Sequence, residues 1–310
     1  LMKILFIDTV HPYLWDELTS MGHECQKAHQ LSKEEIKNSI SDVHGIVIRS
    51  RFSIDKDFLD ACNSLQFIAR AGSGLENIDV EYAQTKNIHC INAAEGNRQA
   101  VAEHALGMLL SLLNNLHTSN QEVKNGIWKR EENRGKEISG KTIGIIGYGN
   151  NGSAFAKVLS GFDCNVIAYD KYLNHFEDTY AKKAEMDQLF EQCDILSLHV
   201  PLNEETEYLL NSNFISKFKK DFYLINTARG KCVDTASVLE GLASNKILGA
   251  CLDVNEFEKT SFENILDMPQ VYRDLLNSKK VILSPHIAGW TTESYQKISE
   301  LLIQKIKSLA

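Results

Sequence analysis

Thr142-Ile143-Gly144-Ile145-Ile146-Gly147-Tyr148-Gly149-Asn150-Asn151-Gly152 is the stretch from which the fold is read. A β-branched run passes into glycines spaced G-x-G-x-x-G, and residues 153–160 then read as a helix. That order, strand then glycines then helix, gives the spacing a physical meaning. Gly147 permits a tight turn, Gly149 lets a pyrophosphate approach the backbone, and Gly152 lets helix and strand pack closely. The pyrophosphate would rest on the helix N-terminus, where unpaired N–H groups and the helix dipole favour an anion. The next strand, 165–170, ends in Asp170. A carboxylate there accepts from ribose hydroxyls and repels a 2′-phosphate, so NAD is expected over NADP.

Working outward, short β-branched runs alternate with helical stretches. Strands are expected at 3–7, 45–48, 65–69 and 89–91, then at 142–147, 165–170, 194–200, 222–226, 249–254 and 281–284. Helices are expected at 55–61, 153–160, 235–244 and 292–308, with a long one beginning near Arg98. Strands that are apolar throughout, alternating with helices, imply parallel sheets covered on both faces. The fold class is α/β. The polar stretch 114–139 separates the two sets of strands.

The 310 residues fit a prior of two domains at about 150 residues each. Apolar residues are 43% and charged residues 24%, the mix of a soluble globular chain. Lys+Arg 33 against Asp+Glu 41 leaves a net charge of −8, which gives no electrostatic basis for nucleic-acid or anionic-membrane binding. The apolar opening 3–7 stops at Asp8, too short for a signal segment. The apolar segment 100–113 contains Glu103 and His104 and falls short of the roughly 20 residues of a membrane span. Seven dispersed cysteines without a C-x-x-C point to reduced thiols in a cytoplasmic protein, with no metal site.

Titratable residues follow three later strands: Arg229 after Leu224-Ile225-Asn226-Thr227-Ala228, Asp253 and Glu258 after Leu252, and His286 after Ser284-Pro285. Ligands of open parallel sheets sit at the carboxyl ends of the strands. Arginine can hold a substrate carboxylate and polarise an adjacent oxo group. Histidine can exchange the hydroxyl proton, and a carboxylate can orient the imidazole. This set suits hydride transfer to or from a 2-hydroxy or 2-oxo acid.

In order along the chain stand Ala71-Gly72-Ser73-Gly74-Leu75-Glu76-Asn77-Ile78-Asp79, Glu95-Gly96-Asn97, Ala102-Glu103-His104 and Gly126-x-Trp128. After the glycine loop come His199-Val200-Pro201-Leu202 with Thr206, Asn226-Thr227-Ala228-Arg229-Gly230, Leu252-Asp253-Val254 and Ser284-Pro285-His286-Ile287-Ala288-Gly289. Over nearly its whole length the chain resembles the D-isomer-specific 2-hydroxyacid dehydrogenases, in the branch that contains D-3-phosphoglycerate dehydrogenase. The resemblance implies two doubly wound parallel-sheet domains, with an NAD-binding Rossmann domain (99–290) inserted into a flavodoxin-like substrate domain (1–98 plus 291–310). It implies Arg229, Glu258 and His286 as the catalytic set. Gly147, Gly149, Asn151, Gly152, Asp170, His199, Pro201, Thr206, Ala228, Asp253 and Gly289 would hold NAD, with Asp253 at the nicotinamide carboxamide. Ser73 and Gly74 would cradle the substrate carboxylate at their N–H groups, with Asn97 beside them. It also implies a homodimer through the NAD domain, using helix 100–113 and the arm after it. With the chain ending at Ala310, feedback through a serine-binding regulatory domain is not expected.

Two departures bear on the site. Lys259 stands where the family has proline after the catalytic glutamate, and the stretch from Glu258 to His286 is longer than is common. Glu256 therefore competes with Glu258 as the histidine's partner, although the offset from Asp253 favours Glu258. Asn150-Asn151 replaces a frequent Arg-Ile. Arg49-Ser50-Arg51 is similar to the basic turn of phosphoglycerate dehydrogenases, and an arginine fork suits a phosphate dianion. The expected substrate pair is 3-phosphoglycerate and 3-phosphohydroxypyruvate. The alternatives are reduction of glyoxylate or hydroxypyruvate, and a non-enzymatic dinucleotide-sensing protein.

Overall fold

Successive side chains of a strand point to opposite faces, so a strand apolar at every position must be covered on both sides. In the first strands Ile4 and Phe6 enter one hydrophobic cluster while Leu5 and Ile7 enter another, and Val47 is likewise separated from Ile46 and Ile48. The computed structural model, which describes residues 1–176, 178–258 and 268–309, carries two such double-faced sheets. By internal contacts the chain divides into two compact units. One holds Leu1–Asn97 and the chain from Trp290 onward; the other holds Arg98–Glu258 and the segment that closes at Gly289.

The first unit is built on β1 (Lys3–Phe6), β2 (Glu24–Lys27), β3 (Gly45–Ile48), β4 (Phe67–Arg70) and β5 (His89–Ile91). They are parallel, in the order β2-β1-β3-β4-β5, which is the flavodoxin-like order. Helix Thr292–Lys307 buries Ile298, Leu302, Ile303 and Ile306 against the Ile4–Phe6 face. It starts at a Thr291–Ser294 capping box.

The second unit carries β6 (Thr142–Ile146), β7 (Asn165–Tyr169), β8 (Lys182–Lys183), β9 (Ile195–Leu198), β10 (Phe222–Asn226), β11 (Ile247–Leu252) and β12 (Val281–Leu283). The order is β12-β11-β10-β9-β6-β7-β8, all parallel. The direction of winding reverses between β6 and β9, the crevice where such sheets bind dinucleotides. The fold class is therefore the expected one, a Rossmann-type unit and a flavodoxin-like unit.

Several elements differ from the sequence reading. Strands β2 and β8 were not expected, being largely exposed and polar. The long helix begins at Ala94 rather than near Arg98, and the polar stretch contains helix Leu116–Lys124, which buries nothing. The Lys259 departure and the first part of the lengthened stretch, through residue 267, lie outside the described residues, while its later part forms helix Gln270–Leu276 ahead of β12. The cysteines are free thiols, of which Cys62, Cys193, Cys232 and Cys251 are buried.

Candidate active site

At the end of β6 the chain turns at Gly147 with φ +90°, a left-handed value glycine adopts without a Cβ penalty. A Cβ on Gly147 would lie 2.4 Å from the His199 carbonyl oxygen, and one on Gly152 only 2.0 Å from the Gly147 carbonyl oxygen. These two glycines are required by packing. Gly149 differs: a Cβ there meets nothing within 4 Å. It is the N-cap residue of helix Asn150–Leu159 and offers no side-chain cap, leaving the first N–H groups to a ligand.

Beside this turn lies a cavity of about 530 Å³, lined by Gly147, Gly149, Tyr169, Asp170, His199, Pro201 and Thr206 among others. That volume suits a small-molecule site. The Asp170 carboxylate is fixed by backbone donors, accepting from Tyr148 N at 2.7 Å, Tyr172 N at 2.9 Å and Leu173 N at 3.1 Å. Thr206 Oγ1 donates to the Pro201 carbonyl at 2.6 Å and closes the turn that carries both lining residues. His199 Nε2 is 2.8 Å from Ser197 Oγ, and burial pushes its pKa down to about 3, so the ring is neutral. His199 Nδ1 and Asn151 Oδ1 are buried atoms without a hydrogen-bond partner among the described residues. Buried polar atoms are rarely left so. Two orphans and an open glycine at a helix N-terminus fit a dinucleotide here.

The strand ends beyond this cavity carry the titratable set. After β10 the buried Asn226 side chain accepts from Ala228 N and donates to the Arg229 carbonyl, each at 3.0 Å. Arg229 Nη1 donates to the Ala228 carbonyl at 2.8 Å. Gly230 must follow, since a Cβ there would be 1.8 Å from the Asn255 carbonyl oxygen. Glu258 Oε2 lies 2.7 Å from His286 Nδ1, and Glu258 Oε1 accepts from Asn255 N at 2.6 Å. Glu256 is elsewhere, accepting from Thr235 N at 3.2 Å.

His286 has φ +57°, uncommon for a residue with a Cβ. Asp253, 1% exposed, holds it there. Its backbone carbonyl accepts from His286 N at 2.7 Å, and its carboxylate accepts from Ile287 N, Ala288 N and Ser284 Oγ. Ser284 Oγ is in turn 2.9 Å from His104 Nε2. The Asp253 carboxylate, expected at a nicotinamide carboxamide, also shapes the 284–288 loop through these bonds, the satisfaction that a buried charge requires. Gly289 ends this unit.

In the first unit the basic turn is built on Asp8, whose Oδ2 accepts from Arg49 N at 2.6 Å, Ser50 N at 3.1 Å and Arg51 N at 3.3 Å. The two arginines then separate. Arg51 donates to the carbonyls of Ile7 at 3.1 Å, Ala28 at 2.9 Å and Leu31 at 2.6 Å. Its guanidinium clamps the chain after β1 and β2, where a fork facing substrate was expected. The Arg49 guanidinium instead lies 4.3 Å from the Trp290 ring centroid, a cation–π distance. Ser73 Oγ donates to Asn97 Oδ1 at 2.7 Å, and Asn92 Nδ2 donates to the Ser73 carbonyl, so the Ser73–Gly74 loop is held from both sides.

Asp8, Arg70, Asn255 and Trp290 were missed from sequence. Arg70 passes so close under Gly72 that a Cβ there would be 1.7 Å from its Nη1. Only the glycine beside a strand-end arginine hinted at that contact.

The family model described as D-isomer specific 2-hydroxyacid dehydrogenase, NAD binding domain, matches residues 106–288. A hydroxypyruvate reductase of Thermotoga maritima is 36% identical over 90% of this chain and 89% of its own. A D-3-phosphoglycerate dehydrogenase of Archaeoglobus fulgidus is 32% identical over 100% of this chain, which spans 57% of that relative's length. The crystal structure of an Aquifex aeolicus D-lactate dehydrogenase, complexed with NAD and lactic acid, superposes with a TM-score of 0.82 at 26% identity. It covers 99% of this chain and 94% of that one. With a dinucleotide turn, a glutamate–histidine pair and these relatives in agreement, the chain belongs to the D-isomer-specific 2-hydroxyacid dehydrogenases, NAD-dependent oxidoreductases acting on CH–OH donors.

Proposed function

We propose that this chain interconverts a small unphosphorylated 2-oxo acid of the hydroxypyruvate or glyoxylate kind with its D-2-hydroxy acid. The observation that carries this choice is the commitment of Arg51 to three backbone carbonyls. A phosphate dianion is best met by more than one cation, and Arg49 alone remains of the expected fork. The hydroxypyruvate reductase relative, at 36% identity, supports the same class.

The Gly147–Gly152 turn and Asp170 would hold NADH, which when bound would supply the hydride. Arg229 holds the substrate carboxylate and polarises the oxo group. His286 gives a proton from Nε2 to the oxygen as it becomes an alkoxide. Glu258, on Nδ1 at 2.7 Å, sets the rotation and tautomer of the ring. Asp253 acts as a positioning residue through the loop it holds. Ser73 and Gly74 offer N–H groups to a carboxylate, and Asn97 positions Ser73.

The test is kcat/KM for NADH-dependent reduction of hydroxypyruvate, glyoxylate and 3-phosphohydroxypyruvate, in wild type and Arg49→Ala. The reading expects hydroxypyruvate to be favoured over its 3-phosphate by at least about tenfold. A comparable advantage for the phosphorylated acid, abolished in Arg49→Ala, would overturn it. That outcome would establish the second reading, phosphoglycerate oxidation, which the 32% identity to a D-3-phosphoglycerate dehydrogenase favours. The free thiols suit a reducing compartment such as the cytoplasm. The apolar side chains exposed at Leu116, Val123, Ile127 and Trp128 suit a homodimer contact.

A further inference from the structure

The dinucleotide cavity has acidic and basic lining residues whose pairing the cofactor reading leaves unexplained. Among the described residues that line it, Lys171 is the one lysine or arginine, and it follows Asp170 directly. Its ammonium group is ion-paired with Glu205, which also accepts from Tyr172 Oη at 3.0 Å. Glu205 sits on a turn that Asn203 builds, its side-chain oxygen accepting from Glu205 N at 3.0 Å and Thr206 N at 3.1 Å. Lys171, Tyr172 and Glu205 all line the same cavity as Asp170.

We propose that Glu205 is a determinant of selectivity for NAD over NADP, acting by holding Lys171 away from a 2′-phosphate. The inference rests on reading Asp170 as the carboxylate at the adenosine ribose. NADP differs from NAD by a phosphate on that ribose, and a cation beside Asp170 would offset the repulsion between carboxylate and phosphate. Lys171 has the charge and the place for this. Its pairing with Glu205 neutralises that charge and adds a second carboxylate to the wall. The two side chains are 53% and 52% exposed, so the pair contributes too little to folding for its loss to unfold the protein. Its consequence falls on which anion the cavity accepts.

The test measures equilibrium binding of adenosine 5′-monophosphate and adenosine 2′,5′-bisphosphate, followed by kcat/KM for NADH and NADPH. Glu205→Gln is expected to shift both ratios toward the 2′-phosphorylated ligand by about tenfold. The double variant Glu205→Gln/Lys171→Met should return them to near the wild-type values, because the released cation is what binds the phosphate. Ratios in Glu205→Gln within about twofold of wild type would overturn the proposal. A gain that persists in the double variant would overturn it too. Asp170→Ala separates the two readings. A gain there without one in Glu205→Gln removes Glu205 and keeps the ribose assignment, whereas no gain in either removes both.

Discussion

His286 combines an unusual backbone with a charged partner, and both follow from the groups around it. Its φ of +57° is held by Asp253, and its Nδ1 by Glu258. His286→Gln is expected to lower kcat by about 10²–10⁴, the usual range for loss of a general acid, with NADH affinity by fluorescence titration nearly unchanged. Glu258→Gln should lower kcat less, because the ring remains but loses its fixed orientation. Arg51 makes the opposite case, a residue expected at substrate whose donors serve backbone carbonyls. Arg51→Met should cost about 2–3 kcal/mol in urea unfolding and leave KM for hydroxypyruvate within about twofold. A tenfold rise in KM at unchanged stability would return Arg51 to substrate binding. His199 titrates by burial: its pKa falls from the ordinary 6.5 to about 3. The unfolded chain then binds more protons than the folded one between these values. The stability this histidine contributes is therefore complete above about pH 6.5 and lost as pH falls toward about 3. Each unit of that window costs up to about 1.4 kcal/mol. Urea midpoints should drop from about pH 7.5 to about pH 5.5, and His199→Gln should flatten the drop.

At the scale of elements, the turn from β6 into helix Asn150–Leu159 shows that glycines in one motif differ in physical role. Gly152→Ala places a methyl 2.0 Å from the Gly147 carbonyl oxygen, so helix and strand must part. Its expected cost is about 1–3 kcal/mol, as for other overpacked sites. Gly149→Ala meets no protein atom, so its melting temperature should stay near wild type. Its methyl would occupy the approach of the pyrophosphate, and NADH affinity should fall by about tenfold or more. Equal thermal loss in both variants would contradict this division. Exposed elements give no such contrast. Strand β2 is largely exposed and joined only to β1, while helix Leu116–Lys124 has no buried residue. Neither has an apolar stripe or alternation from which a sequence reading could find it.

At the scale of the molecule, each unit has a sheet with a hydrophobic cluster on either face. The second unit also exposes Trp128 by 83%, with Leu116, Val123 and Ile127 each more than two-fifths exposed. Apolar side chains exposed close together in sequence are the reason to look for association here. The 34.9 kDa chain is expected to elute as a dimer in size-exclusion chromatography with light scattering. Trp128→Glu with Val123→Glu should shift it toward monomer. A wild-type monomer at about 10 μM would remove the dimer reading.

The local code determined much of this protein by itself. Runs apolar at every position required parallel sheets, and three glycines between a strand and a helix located the dinucleotide turn, because both signals depend on neighbours in sequence. The candidate residues Arg229, Glu258 and His286 were legible as titratable groups after strands. Their partnerships were not. Which glutamate reaches the histidine depends on how the 253–258 turn and the 284–288 loop meet, a long-range contact that Asn255 and Asp253 arrange. The same holds for the paired arginines. In sequence Arg49 and Arg51 are equivalent members of a basic turn, and only the folded chain brings the carbonyls of Ile7, Ala28 and Leu31 within reach of one of them. A guanidinium takes whatever acceptors surround it, and those acceptors are assembled by tertiary structure.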